Sequence, residues 1–477
     1  MCLDVEKPSY RFLVLFFNCL LTFGSYYCFD MPSVLQDQMQ GDFNCPNKTT
    51  NETNATTTCC SDCLGMTFSQ YNLLYAIYSW TNALVVIGSG FLIDKYGNRV
   101  GALLFSSLCV IGSCVFATGA MYRGTDYMLP LMLLGRLVFG AGNGSLTIVQ
   151  NRVTTFWFTG KELALAFGCT LTFSRLGSVL NFFFTGHLND AVGIKYTLWI
   201  GAGLCGLGLV AAIIVGTLDV NGFRRLGLMD TINTESKQVH ISDVKYFSLS
   251  YWLLILTIMF FYNGVFPFVA DASKFIVDKY HYDDNVAAYM AGAIYDVSLV
   301  MSPFLGGLID VFGKRGVLCV VCATLTIPVF GLLAFSQAHP LIATIWFGVT
   351  YSVAAACMWP SIPLVVSRAT IGTAMGLATS VQMIGVGCSN LIVGEIQGKS
   401  RDLPSEEVLK RWKYVMIYLL GNILACVATA VILNVEDSRK GGVLNLSRKE
   451  VNAKTEEEKL VDNDTDALVD SLKAIND

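Results

Sequence analysis

Gly90-Phe-Leu-Ile-Asp94-Lys95-Tyr-Gly97-Asn-Arg99 is the end of an apolar run closed by a short turn with glycines, an acid and two bases. Alone it is a charged turn between two helices. Gly306-Gly-Leu-Ile-Asp310-Val-Phe-Gly313-Lys314-Arg315 repeats its order, so both copies read Gly-x-Leu-Ile-Asp-x-x-Gly-x-Arg. A repeat at one internal spacing makes the chain two halves of one plan.

The sequence around the two copies is too apolar for a soluble domain. Of 477 residues, 53% are hydrophobic and only 14% charged, and the mean hydropathy is +0.54. A soluble surface needs more charge. The fold class expected is an all-α polytopic membrane protein. A net charge of −4 implies no acidic or basic partner and no nucleic acid.

A membrane helix needs about 20 mostly apolar residues. Such runs lie at roughly 12–29, 71–93, 100–121, 127–149, 163–186 and 196–218, then at 249–270, 286–309, 317–335, 341–363, 371–395 and 414–434. The expectation is twelve transmembrane helices in two pseudo-symmetric six-helix bundles. The first run is too long for a signal-peptide core and lacks a small-residue cleavage site, so it is read as a retained helix. The expected layout is an N-terminal segment 1–11, a first bundle 12–218, a linker 219–248, a second bundle 249–434 and a disordered charged tail 435–477.

Basic residues in short loops set orientation. Lys95, Arg99, Arg152, Lys161, Arg224, Arg225, Lys314, Arg315, Arg368, Arg439 and Lys440 share one side, which is read as cytosolic together with both termini. The other side carries fewer, apart from the stretch 399–413. The loop 36–66 on that far side holds three glycosylation sequons, at Asn47, Asn51 and Asn54. Four of the 16 cysteines, Cys45, Cys59, Cys60 and Cys63, crowd the same loop and can form two disulfides in three pairings. Most others lie in apolar runs as small hydrophobes, Cys319-x-x-Cys322 included.

Six helices, a linker and six more, with the repeated motif after the second helix of each half, resemble the major facilitator superfamily. Arg136-Leu-Val-Phe-Gly140-Ala-Gly142 resembles the superfamily's second motif, and the proline-containing motif of proton-coupled antiporters is missing from Leu163 to Gly186. Local strings narrow the match. They include Phe23-Gly-Ser-Tyr-Tyr-Cys-Phe-Asp30, Leu74-Tyr-Ala-Ile-Tyr78-Ser-Trp80, Gly160-Lys161-Glu162-Leu163, Ser174-Arg175-Leu-Gly177-Ser178, Phe266-Pro267-Phe268 and Trp359-Pro360. They resemble the lysosomal dipeptide-transporter family of that superfamily. The resemblance implies rocker-switch export of dipeptides from lumen to cytosol, with a helix 5 arginine and a late helix 4 acid holding the two ends of the substrate. Arg175 supplies the arginine, whereas Asn143-Gly144-Ser145 stands where the acid is expected. The resemblance also leaves a glycosylated lysosomal accessory membrane protein and a homodimer open as partners. Three sequons on the first loop suggest that the chain carries a glycan shield of its own.

Charges at mid-membrane are costly and mark cavities or partners. Arg175 has no acid at i±3 or i±4, and its planar fork suits a carboxylate. Arg136 belongs to a motif of the helix-packing network. Asp296 is expected either to hold a substrate ammonium or a proton, or to pair with Arg175 or Arg136. Asp30, Asp271 and Glu395 read as solvated rim residues. Tyr78, Asn143, Asn181 and Trp359 are the expected neutral substrate contacts, as polar side chains in membrane runs line cavities or join helices. The motif copies are expected to form a gate, with Gly90, Asp94, Gly97 and Arg99 in one half and Asp310, Gly313 and Arg315 in the other.

No phosphate-binding loop and no nucleophile triad is present, so neither ATP drive nor an enzyme is expected. His187, His240, His281 and His339 form no ligand cluster, and no metal or cofactor is expected. Glu456-Glu-Glu-Lys-Leu460-Val461 and Asp464-Thr-Asp-Ala-Leu468-Val469 resemble imperfect acidic dileucine sorting signals. The expected function is dipeptide export, with uniport preferred and proton symport through Asp296 the other coupling. The alternatives are transport of another organic anion or sugar, or a non-transporting membrane scaffold or sensor. The plasma membrane is the alternative location.

Overall fold

The computed structural model describes residues 8–41, 62–158, 163–226, 247–366, 371–398, 404–446 and 450. The expected glycosylation sites Asn47, Asn51 and Asn54, the cysteines Cys45, Cys59 and Cys60, most of the linker and the two tail signals lie outside them. Cys63 is fully buried and disulfide-bonded, to a cysteine outside the described residues.

Helix α1 is Pro8–Val34. The continuous Phe68–Met121 bends at Gly97, giving α2 (68–96) and α3 (98–121). After α4 (Met128–Phe158), the continuous Leu163–Leu226 bends at Gly193 into α5 (163–192) and α6 (194–226). The second half holds α7 (Leu249–Tyr280), α8 (Asp284–Phe312), α9 (Arg315–Phe335), α10 (Pro340–Met358), α11 (Ile371–Gln397) and α12 (Ser405–Arg439). The described residues thus hold the expected six and six, with no strand.

The turns follow from local chemistry. Gly97 and Gly193 take φ 84° and 80°, where a Cβ is disfavoured, so each folds one helix back on the next. Gly313 (φ 67°) does the same between α8 and α9, followed by Lys314 in the left-handed region. Thr67 and Gln70 cap α2 reciprocally, and Asp283 caps α8.

Helices overrun the ends set by hydropathy. α6 continues to Leu226, past the expected boundary at 218, and α12 to Arg439. The expected disordered tail is folded at its start. Asp437 accepts the Leu444 amide at 3.2 Å, Leu444 is buried, and Asn445 receives the Val317 amide at 3.1 Å. A carboxylate and an amide thus tie 436–446 to the base of the second bundle.

Glycine sets helix spacing, as small residues do where lipid gives no hydrophobic drive. In Arg136-x-x-x-Gly140-x-Gly142, a Cβ on Gly140 would stand 2.6 Å from the Tyr78 carbonyl oxygen. One on Gly142 would stand 2.6 Å from the Phe105 carbonyl oxygen. The motif therefore seats α4 on the backbones of α2 and α3. Glycines also line the seam between halves. Gly387 on α11 faces the Trp80 indole, and Gly292 on α8 faces Phe182. The halves meet along α2–α11, α5–α8 and α1–α7.

Gly140→Ala is expected to push α2 from α4 and to cost about 1–3 kcal/mol of stability. Gly90→Ala, inside α2 with nothing within 4 Å of its added Cβ, is expected to keep stability or raise it by up to about 1 kcal/mol. Thermal unfolding in detergent measures both, and equal melting temperatures would refute the packing argument.

Candidate functional site

The face bearing the chain's start and both motif copies is called the basic face here, and the opposite one the far face. Hydrogen bonds and ion pairs that cross between halves gather at the far face and mid-membrane. Ser33 donates to the Val269 carbonyl at 2.6 Å. The Tyr71 hydroxyl reaches both the Pro32 and the Ala270 carbonyls, at 3.0 and 2.7 Å. Gln36 donates to Asp271, Gln38 to Asp284 at 3.1 Å, and Ser69 to Glu395 at 3.0 Å. At the centre of this seal, Lys274 of α7 pairs with Asp37 of the first half and, at 3.0 Å, with Asp278 one turn on. All three are buried. Two carboxylates around one ammonium meet the cost of burying it.

Contacts described at the basic face stay within one half. Asn98 and Trp157 both donate to Asp219, at 3.2 and 2.8 Å, and Arg99 lies against Gly216. Arg315 donates to the Pro360 carbonyl at 2.8 Å. The side chains of Asp94, Lys95 and Asp310 are outside the described residues. The conformation is closed at the far face.

Beneath the seal lies a ring of aromatic and charged groups from both halves. Arg175 of α5 is half-buried, with its Cζ 4.8 Å from the Tyr351 ring centre and 5.6 Å from that of Tyr295. The Tyr295 hydroxyl of α8 donates to Asp30 Oδ1 of α1 at 3.4 Å. Asp30 is 2% exposed, and its Oδ2 has no hydrogen-bond partner. Among the described residues neither Arg175 nor Asp30 forms an ion pair. A tyrosine thus touches a guanidinium with its ring and a carboxylate with its hydroxyl.

Arg136 lies behind this pair. Its guanidinium is caged by Phe116, Tyr75 and Phe139, with ring centres 4.8, 5.6 and 5.8 Å away. Both terminal nitrogens face the Phe29 carbonyl at 3.5 Å. Its positive field reaches Asp30 without contact. Phe29 joins the halves, its ring 4.7 Å from Tyr78 and 6.3 Å from Phe266.

The expected site residues are partly brought together. Trp359 donates to the Tyr262 hydroxyl at 3.0 Å, and the Tyr262 ring lies 6.0 Å from that of Tyr351, so Trp359 reaches the ring through one neighbour. Tyr78 borders it through Phe29, and Asn143 stands behind, donating to the Tyr78 hydroxyl at 2.9 Å. Asn181 is elsewhere, buried within the first half, where Thr185 bonds its Oδ1 at 2.7 Å and the Tyr27 hydroxyl at 2.8 Å.

Asp296 is half-buried, and the expected ion pair with Arg175 or Arg136 is absent among the described residues. Its neighbour Tyr295 takes the central face, and one helical residue is about 100° of rotation. Asp30 and Asp271 are buried, at 2% and 1%, not solvated at a rim, whereas Glu395 is exposed as expected. The overlooked signal is a spacing. Asp30 and Asp37 in the first half recur as Asp271 and Asp278 in the second, seven apart in each. Lys274 lies between the second pair. Among the described residues no cluster of His, Cys, Asp or Glu could hold a metal ion.

Residues 15–389 match the Major Facilitator Superfamily. The chain belongs to the major facilitator superfamily. It is similar to the lysosomal dipeptide transporter MFSD1 of Homo sapiens, at 33% identity over 460 residues, covering 94% of this chain and 90% of that one. The corresponding protein of Danio rerio is 31% identical over 455 residues, covering 93% and 91%. Among solved structures, a peptide transporter POT in complex with sulfate gives a TM-score of 0.66 at 13% identity, covering 92% of this chain and 96% of the other. The nucleoside transporter NupG gives 0.65 at 11%, covering 88% and 99%. These two likenesses speak for the fold alone. In a major facilitator transporter, a central ring with one end sealed is the arrangement alternating access requires.

Removing one partner of a buried ion pair costs about 3–5 kcal/mol, since it strands a charge. Lys274→Met is therefore expected to loosen the far-face seal, raising backbone hydrogen exchange over 31–37 and 269–275. Adding Asp37→Asn and Asp278→Asn is expected to restore protection. Unchanged exchange in the single variant would show that the ammonium does not hold the seal.

Proposed function

We propose that this chain is a lysosomal membrane transporter that carries dipeptides from the lumen to the cytosol by alternating access, as a uniporter. The single observation behind the reading is Arg175. It is a permanently charged guanidinium between the halves, stacked on two tyrosines and without an ion pair among the described residues. An arginine left this way in a membrane protein is a site for an anionic group that arrives and leaves. A substrate carboxylate fits its two-pronged donors.

The organelle and the substrate class rest on the relatives named lysosomal dipeptide transporters. On the basic-residue rule the basic face is cytosolic and the far face lumenal. The described conformation is then sealed toward the lumen, the state from which cargo leaves to the cytosol. Asp296 bears no hydrogen bond or ion pair among the described residues, and it is the group through which a proton would travel if transport proved coupled. The repeated motifs act as the cytosolic latch in the opposite state, and here their described members are engaged within their own halves.

The experiment is flux into liposomes holding the purified chain, with a panel of dipeptides, with and without a pH gradient. Dipeptide flux independent of the gradient is expected. Arg175→Lys keeps the charge but loses the fork, and at least a tenfold drop in dipeptide flux is expected at equal folded yield. Sugar or other organic-anion flux without dipeptide flux would replace the substrate. Neither flux nor thermal stabilisation by any solute would identify a scaffold.

A further inference from the structure

We infer that Asp30, presented by Tyr295, is the acceptor for the substrate's terminal ammonium, so that the site requires a free amino end as well as a free carboxylate. The inference rests on the dipeptide reading above and deepens it.

The argument begins with an imbalance. Asp30 is 2% exposed, yet Oδ2 has no hydrogen-bond partner, and the donors beside the acid are two hydroxyls, that of Tyr295 at 3.4 Å from Oδ1 and that of Ser178. A buried carboxylate normally collects several donors or a cation, because leaving one unsatisfied costs more than a bond returns. Two arginines stand near enough for their fields to reach it, and neither closes on it. Arg136 is held back by three aromatic faces and the Phe29 carbonyl. Arg175 is held back by Tyr295 and Tyr351. The fold thus keeps an acid and a base on either side of one tyrosine and prevents their collapse into a pair.

Such a separated pair is a receptor for a molecule carrying both charges. The two legs, 5.6 Å from Arg175 Cζ to the Tyr295 ring centre and 3.4 Å from hydroxyl to Asp30 Oδ1, joined by a ring-to-hydroxyl distance of about 3 Å, put the charges at most about 12 Å apart. Two extended residues span about 7 Å, and a hydrogen bond at each end adds about 3 Å, so a dipeptide is long enough to reach both charges.

The location adds a role. Asp30 lies on α1 and Arg175 on α5, both in the first half, while Tyr295 comes from α8 in the second. The first half therefore holds both ends of the substrate, and the second presents a tyrosine across the middle. Asn143, on the helix where the resemblance places an acid, is neutral and already bonded to Tyr78. Asp296 makes no contact with Arg175 or Asp30 among the described residues.

The test compares three probes on the purified full chain in liposomes: alanylalanine, its N-acetyl derivative and its C-terminal amide. The wild type is expected to carry N-acetyl-alanylalanine at least tenfold less well than alanylalanine, a comparison that needs no variant. Asp30→Asn is expected to lose alanylalanine flux at least tenfold and to treat the free and N-acetyl forms within about twofold of each other. Its preference for alanylalanine over the amide, set by Arg175, is expected to persist. Equal wild-type flux of free and N-acetyl forms would overturn the inference while leaving dipeptide transport intact. So would an Asp30→Asn chain that keeps the amino-end preference and changes only its pH response, which would make Asp30 a proton carrier. Absence of any wild-type dipeptide flux would overturn the substrate reading and this inference with it.

Discussion

A charge inside an apolar slab must be neutralised, caged or visited. The chain answers this demand in three ways at three depths, and its architecture follows from the answers. Lys274 is neutralised by Asp37 and Asp278, and that pairing closes one end of the protein. Arg136 is caged by aromatic faces and a helix carbonyl, which fixes α4 against α1 and α2. Arg175 is stacked on Tyr295 and Tyr351 but, among the described residues, has no ion pair, and on the proposed function it is the one left for a visitor. The cations are alike in sign and differ in what surrounds them, so surroundings assign the roles of clasp and strut and, on the proposed function, of receptor.

Much of this was legible in the sequence because it rests on repetition and on counting. Two copies of one motif, separated by runs of membrane length, fix two bundles, and Gly97 and Gly313 turn where the motif requires. Arg175 stood out because nothing on its own helix could neutralise it. The acids were harder. Hydropathy stops counting at a charge, so the apolar runs end before Asp30 and Asp271 and hydropathy puts both acids in water. The helices themselves stop for hydrogen-bonding reasons and run on to Val34 and Tyr280. Both acids are therefore interior.

The choice between Tyr295 and Asp296 shows a second limit. Adjacent residues on a helix differ by about 100° in direction, and the sequence gives no absolute angle. An acid attracts attention and a tyrosine does not, yet the tyrosine meets Arg175 and Asp30. The order at 436–446 was hidden for a third reason. It depends on Asp437 and Asn445 meeting backbone groups that only tertiary structure brings near.

The Lys274 clasp is lopsided. Its ammonium and one carboxylate, Asp278, belong to the same helix a turn apart, whereas only Asp37 comes from across the seam. When the halves part, the cation keeps a counter-ion and the departing acid enters water, where carboxylates are well solvated. The cation is never left alone in the apolar slab. The seal can therefore be firm while shut and still release without a steep electrostatic toll, which suits a door that must swing once for every molecule it passes.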